Sequence, residues 1–252
     1  MNINHYLERI RYSGDLNLNV EVLRALQESH LLTVPFENLD VHYGRAIELD
    51  LDRIYKKVVL SQRGGFCYEL NGLFYELLKG LGFRVKRISA RIFARNQGSE
   101  REFDHLVTIA RLDGRDFLLD VGFGEFTLHP LTVKPGIVQQ DPRGHFIIEK
   151  HEGDVYRVDK IENGEVEPQY LFTLKERDLS EFQEMCRYHQ THPESFFTRQ
   201  RLISLARKNG RVTIAGNKLK ISESDRVEEI ELENEAMFES KLKEYFGVTL
   251  DF

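Results

Sequence analysis

Cys67 lies in RGGFCYELN, where a glycine-rich turn meets an apolar-periodic segment. The first amides of a helix have no intrahelical acceptor and its dipole favours negative charge, so a cysteine there is placed to act as a thiolate nucleophile. The plainer alternative is a buried cysteine that only packs. A base comes from HLVTIARLDGRDFLLD at 105–120, whose Asp113-Gly114 suits a two-residue hairpin turn because both central residues need positive φ. Pairing then sets Leu112 against Arg115, Val107 against Asp120 and His105 against Gly122. Side chains alternate along a strand, so His105 and Asp120 become diagonal neighbours on one face, about 7–8 Å apart at Cα. A carboxylate so placed orients an imidazole, which supplies the base and orienter of a triad whose nucleophile comes from another element. A three-residue loop would send the two side chains to opposite faces. A structural His–Asp pair is the alternative reading, and Val107, Ile109 and Leu118 make the shared face apolar enough to bury either.

Three kinds of element must position these residues. Leu51, Ile54, Tyr55, Val58 and Val59 form a helical stripe behind the capping residue Asp50, and Asn19 caps a second helix with Val22, Leu23 and Leu26. A third helix runs from Cys67 through Leu70, Phe74, Leu77, Leu78 and Leu81, with Gly80 and Gly82 at its end. From Phe83 the period changes to two, and a second hairpin dipeptide stands at Asn163-Gly164, which predicts an antiparallel sheet or barrel. The final third is mixed. Ser180 and Gln183 form a capping-box pattern before Phe182, Met185 and Cys186; the strand-like segments SFFTRQRLISLAR and RVTIAG flank an Asn209-Gly210 turn; and a last helix runs from Asn234 to Gly247.

Composition removes several function classes. Lys plus Arg is 35 against 41 Asp plus Glu, a net charge of −6 with no basic block, so a nucleic-acid partner is not expected. No run of about 18 apolar residues occurs, and the charged opening MNINHYLERI is unlike a signal peptide, so a soluble cytoplasmic protein without a membrane partner is expected. Two cysteines cannot make a disulfide framework, and Cys186 shares a stripe with Phe182 and reads as core. Apolar residues interleave the acidic stretch 223–239, which marks a solvated face of a folded element. His189 and His192 lack the further ligands a metal needs and read as a surface pair, so no metal is expected. GFGEF is too short for a phosphate-cradling loop.

HLLTVPFENLD at 30–40, RGGFCYELNGLF at 63–74, DHLVTI at 104–109, LLDVGFG at 118–124 and, weakly, KEYFGVTL at 243–250 resemble the arylamine N-acetyltransferase family over nearly the whole chain. The resemblance implies an α+β fold with a cysteine-protease-like triad: a helical bundle (1–82) bearing the nucleophile, a central antiparallel β-barrel (83–176) bearing His and Asp, and an α/β lid (177–252). It implies ping-pong transfer of acetyl from the cosubstrate acetyl-CoA to the nitrogen or oxygen of arylamines, arylhydrazines or arylhydroxylamines, a chemistry of xenobiotic metabolism. Cys67 would be the acetyl acceptor, His105 the base and Asp120 the orienter, with the Tyr68 amide a candidate oxyanion donor. Glu37 and Arg63 map as a buried ion pair under the nucleophile's loop, Phe36 and Phe123 as the acceptor cleft, and Gly124, Phe197 and Thr198 as CoA contacts. Lys208, Arg211, Lys218 and Lys220 remain equal candidates for the 3′-phosphate. The last third is short for the family's lid, and IFARNQGSEREF at 92–103 is strongly charged for a substrate-bordering loop, so acceptor preference is expected to differ. The same triad would also serve a thiol-dependent acyl-CoA hydrolase or a transglutaminase-like enzyme, separated by what receives the acyl group. A non-catalytic binding module on this fold would have an unreactive Cys67.

Overall fold

A computed structural model describes residues 1–93, 101–224 and 226–250; most of the charged 92–103 segment lies outside them. Side-chain caps start the first helices, each worth about 1 kcal/mol. Asn2 accepts from the Asn4 and His5 amides to open α1 (Ile3–Arg9), and Asn19 accepts from Val22 to open α2 (Val20–Leu31). The two-residue strand β1 (Phe36–Glu37) and the short α3 (Leu39–His42) follow, then α4 (Leu51–Tyr55), which Asp50 caps through the Arg53 amide and which runs into a π-helical turn, Lys56–Leu60. Helix α5 (Cys67–Gly80) is buried along most of its length. One side meets Tyr6, Leu23, Leu26 and Ile54, and the same cluster takes in Ala110, Phe117, Leu119 and Val121, so helices and strands share a core.

The middle of the chain forms eight antiparallel strands: β2 (Arg84–Ile92), β3 (His105–Leu112), β4 (Arg115–Leu119), β5 (Leu131–Thr132), β6 (Val138–Asp141), β7 (Gly144–Lys150), β8 (Val155–Glu162) and β9 (Glu165–Thr173), in the order β5-β4-β3-β2-β9-β8-β7-β6. The Gln139 side chain of β6 both accepts from the Thr132 amide (2.7 Å) and donates to its carbonyl (2.9 Å), tying the two edge strands into a nearly closed barrel. Its interior holds Ile88, Val107, Ile109, Leu118, Phe146, Tyr170 and Phe172. Asp113 and Gly114 adopt φ of 49° and 74°, and the ladder runs from Leu112↔Arg115 to Thr108↔Leu119 in the expected register. It stops there instead of continuing to His105 and Gly122, because beyond Leu119 the chain is drawn onto α5.

The last third differs from the sequence reading in three places. The turn before α6 (Gln183–Thr191) opens at Asp178, whose amide donates to Glu181 at 2.7 Å, two residues ahead of the expected Ser180 cap. Phe196–Arg199 is a helical turn, α7, and strand begins only at β10 (Leu202–Arg207). Arg207 pairs with Gly210, so Lys208 and Asn209 make the turn and Gly210 is the first residue of β11 (Gly210–Ala215). Glycine is needed there for close approach: a Cβ would lie 1.9 Å from the Ser222 carbonyl oxygen. Strands β12 (Lys218–Glu223) and β13 (Arg226–Glu231) complete a sheet ordered β1-β10-β11-β12-β13, in which Phe36 and Glu37 pair with Ser204 and Ile203. Helix α8 (Glu235–Phe246), capped by Asn234 and ended by Gly247 at φ 65°, covers that sheet with Phe238, Leu242 and Phe246.

Candidate active site

Asn71, one turn after Cys67 on α5, stitches the site together. Its Nδ2 donates to the Leu106 carbonyl (2.8 Å) and to Asp120 Oδ1 (2.9 Å), and its Oδ1 accepts from the Val121 amide (2.9 Å). Asp120 is filled from all sides: Oδ1 also accepts from the Gly122 amide (2.9 Å), while Oδ2 accepts from His105 Nε2 (2.7 Å) and Tyr170 Oη (3.3 Å). A carboxylate only accepts, so Nε2 carries the hydrogen and Nδ1 of the neutral ring is left bare. His105 and Asp120 are each 1% exposed, and Phe123 and Tyr170 cover the imidazole at 5.2 and 5.7 Å.

Cys67 begins α5, next along the chain from Phe66, whose amide Glu69 caps at 2.8 Å. The Leu106 amide, adjacent to His105 on β3, favours the charged form of the Cys67 sulfur. Gly122 leans on the same cysteine: a Cβ there would stand 2.7 Å from Cys67 Cα. Burial pushes the Cys67 thiol well above its ordinary value, with Cys186, Asp120 and Asp104 adding to the rise against the Leu106 amide. A lone thiolate is therefore disfavoured, and an ionised Cys67 needs a partner that takes up its proton as a neighbouring cation. Burial also lifts Cys186, to about 12, in the core position expected for it.

The Glu37–Arg63 pair exists and belongs to a larger network. Arg63 bonds Glu37 through Nε and Nη2 (2.8 and 2.9 Å) and reaches Asp40 at 2.9 Å, and Lys57 bridges Asp40 (2.7 Å) to Glu69 (2.9 Å). Three carboxylates face two cations. Burial alone would depress Lys57, but Glu69, Glu37 and Asp40 outweigh it and hold the ammonium charged. Burial pushes Glu69 up, against Lys57 and the Phe66 amide. Asn71, Asp40, Lys57, Glu69 and Tyr170 are not singled out from sequence; Asn71, a polar residue one turn after Cys67 on an apolar-periodic helix, carried a readable signal, whereas Asp40, Lys57 and Tyr170 lie on other elements.

Phe36, Phe123 and Gly124 line one small cavity of about 20 Å³ with Gly122, Ser204 and Arg211. Phe197 lies outside that lining but packs on Phe36 (5.8 Å) and Phe66 (5.0 Å), and Thr198 of α7 spends its hydroxyl on the carbonyls of His192 and Ser195, which precede that turn. Lys208 and Arg211 meet Arg143 and Lys160 around a cavity of about 530 Å³, which Glu125 and Glu162 also line. Lys218 instead pairs with Glu229 at 3.4 Å, and Lys220 is exposed. Burial pushes the Arg211 guanidinium down to about 10, Glu125 opposing and Arg143 adding to the fall. His192 is on the surface as expected, whereas the His189 side chain is only 12% exposed and is held by Asp104 and Ser195. No helix among the described residues is long and apolar enough to cross a membrane.

A family model described as N-acetyltransferase matches residues 19–252. The chain is 33% identical to the arylamine N-acetyltransferase pineal gland isozyme NAT-3 of Gallus gallus, covering 100% of this chain and 95% of that protein, and 32% identical to the arylamine N-acetyltransferase of Escherichia coli strain K12, covering 99% and 89%. The arylamine N-acetyltransferase of Mycobacterium marinum, solved in complex with CoA, superposes with a TM-score of 0.89 at 30% identity over 98% of this chain and 93% of that one.

Proposed function

The chain belongs to the arylamine N-acetyltransferase family, and on that premise we propose that it carries acetyl from acetyl-CoA to the nitrogen or oxygen of arylamines, arylhydrazines or arylhydroxylamines through an acetyl-Cys67 intermediate. The observation that carries this reading is the 2.7 Å His105–Asp120 bond, which leaves Nδ1 bare and which Asn71, one turn after Cys67, ties to the nucleophile's helix through Asp120 at 2.9 Å.

In the first half-reaction His105 Nδ1 takes the Cys67 proton and the sulfur attacks the thioester carbonyl. The carbon–sulfur bond to CoA breaks, and the departing CoA thiolate takes the proton from the imidazolium. One thioester replaces another, so the step is nearly isoenergetic. In the second half the acceptor nitrogen attacks acetyl-Cys67, its proton passes to His105, and the released Cys67 sulfur recovers it. Both tetrahedral intermediates carry an oxyanion, for which the Tyr68 amide, unpaired in the first turn of α5, is the proposed donor. Burial that disfavours the free thiolate confines ionisation to the Cys67–His105 pair.

Phe36 and Phe123 are the proposed aromatic walls. Their cavity holds about one water, so a substrate ring enters only with movement of those side chains. For CoA, the basic cavity beside Gly124 supports a phosphate subsite at Arg211, Arg143 and Lys208, because two guanidiniums crowded out of water gain most from an anion. The CoA bound by the M. marinum relative supports the same cosubstrate here.

Intact-protein mass after mixing with acetyl-CoA, with and without an aromatic amine, tests the reading. One acetyl group mapped to Cys67 and discharged by the amine is the expected result. Consumption of acetyl-CoA without amine acetylation would establish a hydrolase instead, and no adduct with no consumption would overturn the assignment.

A further inference from the structure

A second hydrogen-bonded relay lies beside the candidate triad and uses none of its residues. Asp104, immediately before His105, accepts from His189 Nε2 at 2.9 Å, and His189 Nδ1 lies 3.2 Å from Ser195 Oγ. Ser195 is 3% exposed, caps α7 by accepting from the Phe197 amide at 3.3 Å, and also lies 3.1 Å from the His189 carbonyl oxygen. The relay survives either protonation state of the ring. A neutral His189 accepts the Ser195 hydroxyl at Nδ1; a charged one donates to it while that hydroxyl turns to the His189 carbonyl.

Each end is anchored to the machinery of the reaction. Tyr68, next to Cys67, donates its hydroxyl to the carbonyls of Phe103 (2.9 Å) and Asp104 (3.0 Å), and its ring stacks on His189 at 6.2 Å. Phe103 has φ 65°, a left-handed backbone that a bulky residue adopts only when its surroundings impose it. At the far end, Phe197 meets His189 edge-on at 5.3 Å, and its carbonyl accepts from Asn38 Nδ2 (2.9 Å) and lies 3.0 Å from His42 Nε2. Its ring therefore rests against Phe36 and Phe66 with both backbone and face held.

We propose that His189, clamped between Asp104 and Ser195, is a positioning residue for the acceptor step: it locks the α7 turn so that Phe197 presents a fixed aromatic wall beside the candidate nucleophile. This inference rests on the acyl-transfer reading above, and the wall selects acceptors that carry an aromatic ring.

The test compares His189→Ala and His189→Gln with the unaltered enzyme. Gln can donate to Asp104 through its amide nitrogen and accept from Ser195 through its oxygen, so it restores the clamp without an imidazole. Three readouts are taken: acetylation of Cys67 by 4-nitrophenyl acetate, kcat and KM for 4-methoxyaniline and for hydrazine, which has no ring, and hydrogen exchange of the Phe197 and Thr198 amides. In His189→Ala, KM for 4-methoxyaniline should rise about tenfold, more than KM for hydrazine and more than kcat falls, with faster exchange across α7. His189→Gln should recover most of each change. Equal effects on both acceptors, no rise in exchange, or no rescue by Gln would overturn the clamp. An unaltered enzyme that takes acetyl on Cys67 yet passes none to an aromatic amine would overturn the functional reading and the acceptor role with it, while the exchange data would still decide whether the clamp exists.

Discussion

Gly122→Ala adds one methyl group where the chain after β4 meets α5. The new carbon would lie 2.7 Å from Cys67 Cα, 2.8 Å from Asn71 Nδ2 and 3.0 Å from Cys67 Cβ, and two of these atoms belong to helix backbone or its root. Carbon atoms settle at about 3.5–4.0 Å, so the turn must retreat by about 0.8 Å. The Gly122 amide donates to Asp120 Oδ1 at 2.9 Å, and the same carboxylate holds His105 at 2.7 Å, so the retreat is transmitted to the imidazole. Overpacking of this kind costs about 1–3 kcal/mol, and for a chain of this length Tm falls about 2–4 °C per kcal/mol. A displacement approaching 1 Å at the reacting groups costs about 10²-fold in rate. Stopped-flow release of 4-nitrophenol from 4-nitrophenyl acetate reads acylation, and a far-UV melt reads stability. An unaltered burst rate with an unaltered melt would refute the steric argument. A lowered melt with an unaltered burst would show that the His105–Asp120 geometry does not depend on this approach.

In Asp120→Asn the two donors at Oδ1, Asn71 and Gly122, claim the amide oxygen and turn the NH2 toward His105, which forces the ring hydrogen onto Nδ1; acylation should fall by about 10⁴, and near-normal turnover would refute the proposed base. Lys57→Met leaves three carboxylates facing Arg63 alone, with an expected loss of about 3–5 kcal/mol in urea unfolding; an unchanged midpoint would mean the network is neutral to stability. His30 is buried and held down to about 3, first by burial and then by Arg9. Its folded value lies below its unfolded one, so its contribution is complete above about pH 6.5 and is lost as pH falls toward 3, at about 1.4 kcal/mol per pH unit. His30→Gln should flatten the decline in unfolding free energy between pH 6 and 4, and an identical slope in both proteins would exclude His30 as its source.

What the sequence by itself determined is local. Asn19, Asp50 and Asn234 cap the helices that follow them, because a short polar side chain reaches amides two or three residues ahead and spacing alone reports that. Asp113-Gly114 set a two-residue turn and with it the β3–β4 register as far as Thr108 and Leu119. Where a local signal competed with packing, packing decided. Gly210 looked like a turn residue and is instead the position where β12 comes too close for any Cβ. His105 and Asp120 meet at 2.7 Å beyond the end of the β3–β4 ladder, where Asn71 and the close approach of Gly122 to Cys67 hold the chain after β4 against α5. Asn71 itself, the two further carboxylates and second cation beside Glu37 and Arg63, and the His189 clamp join residues distant along the chain; Asp104 and His189 meet only because the α6–α7 segment is laid across the start of β3. Backbone geometry repeats over a few residues and can be read from spacing. Contacts between distant segments depend on the summed path of every turn between them, which is why only the tertiary structure could place them.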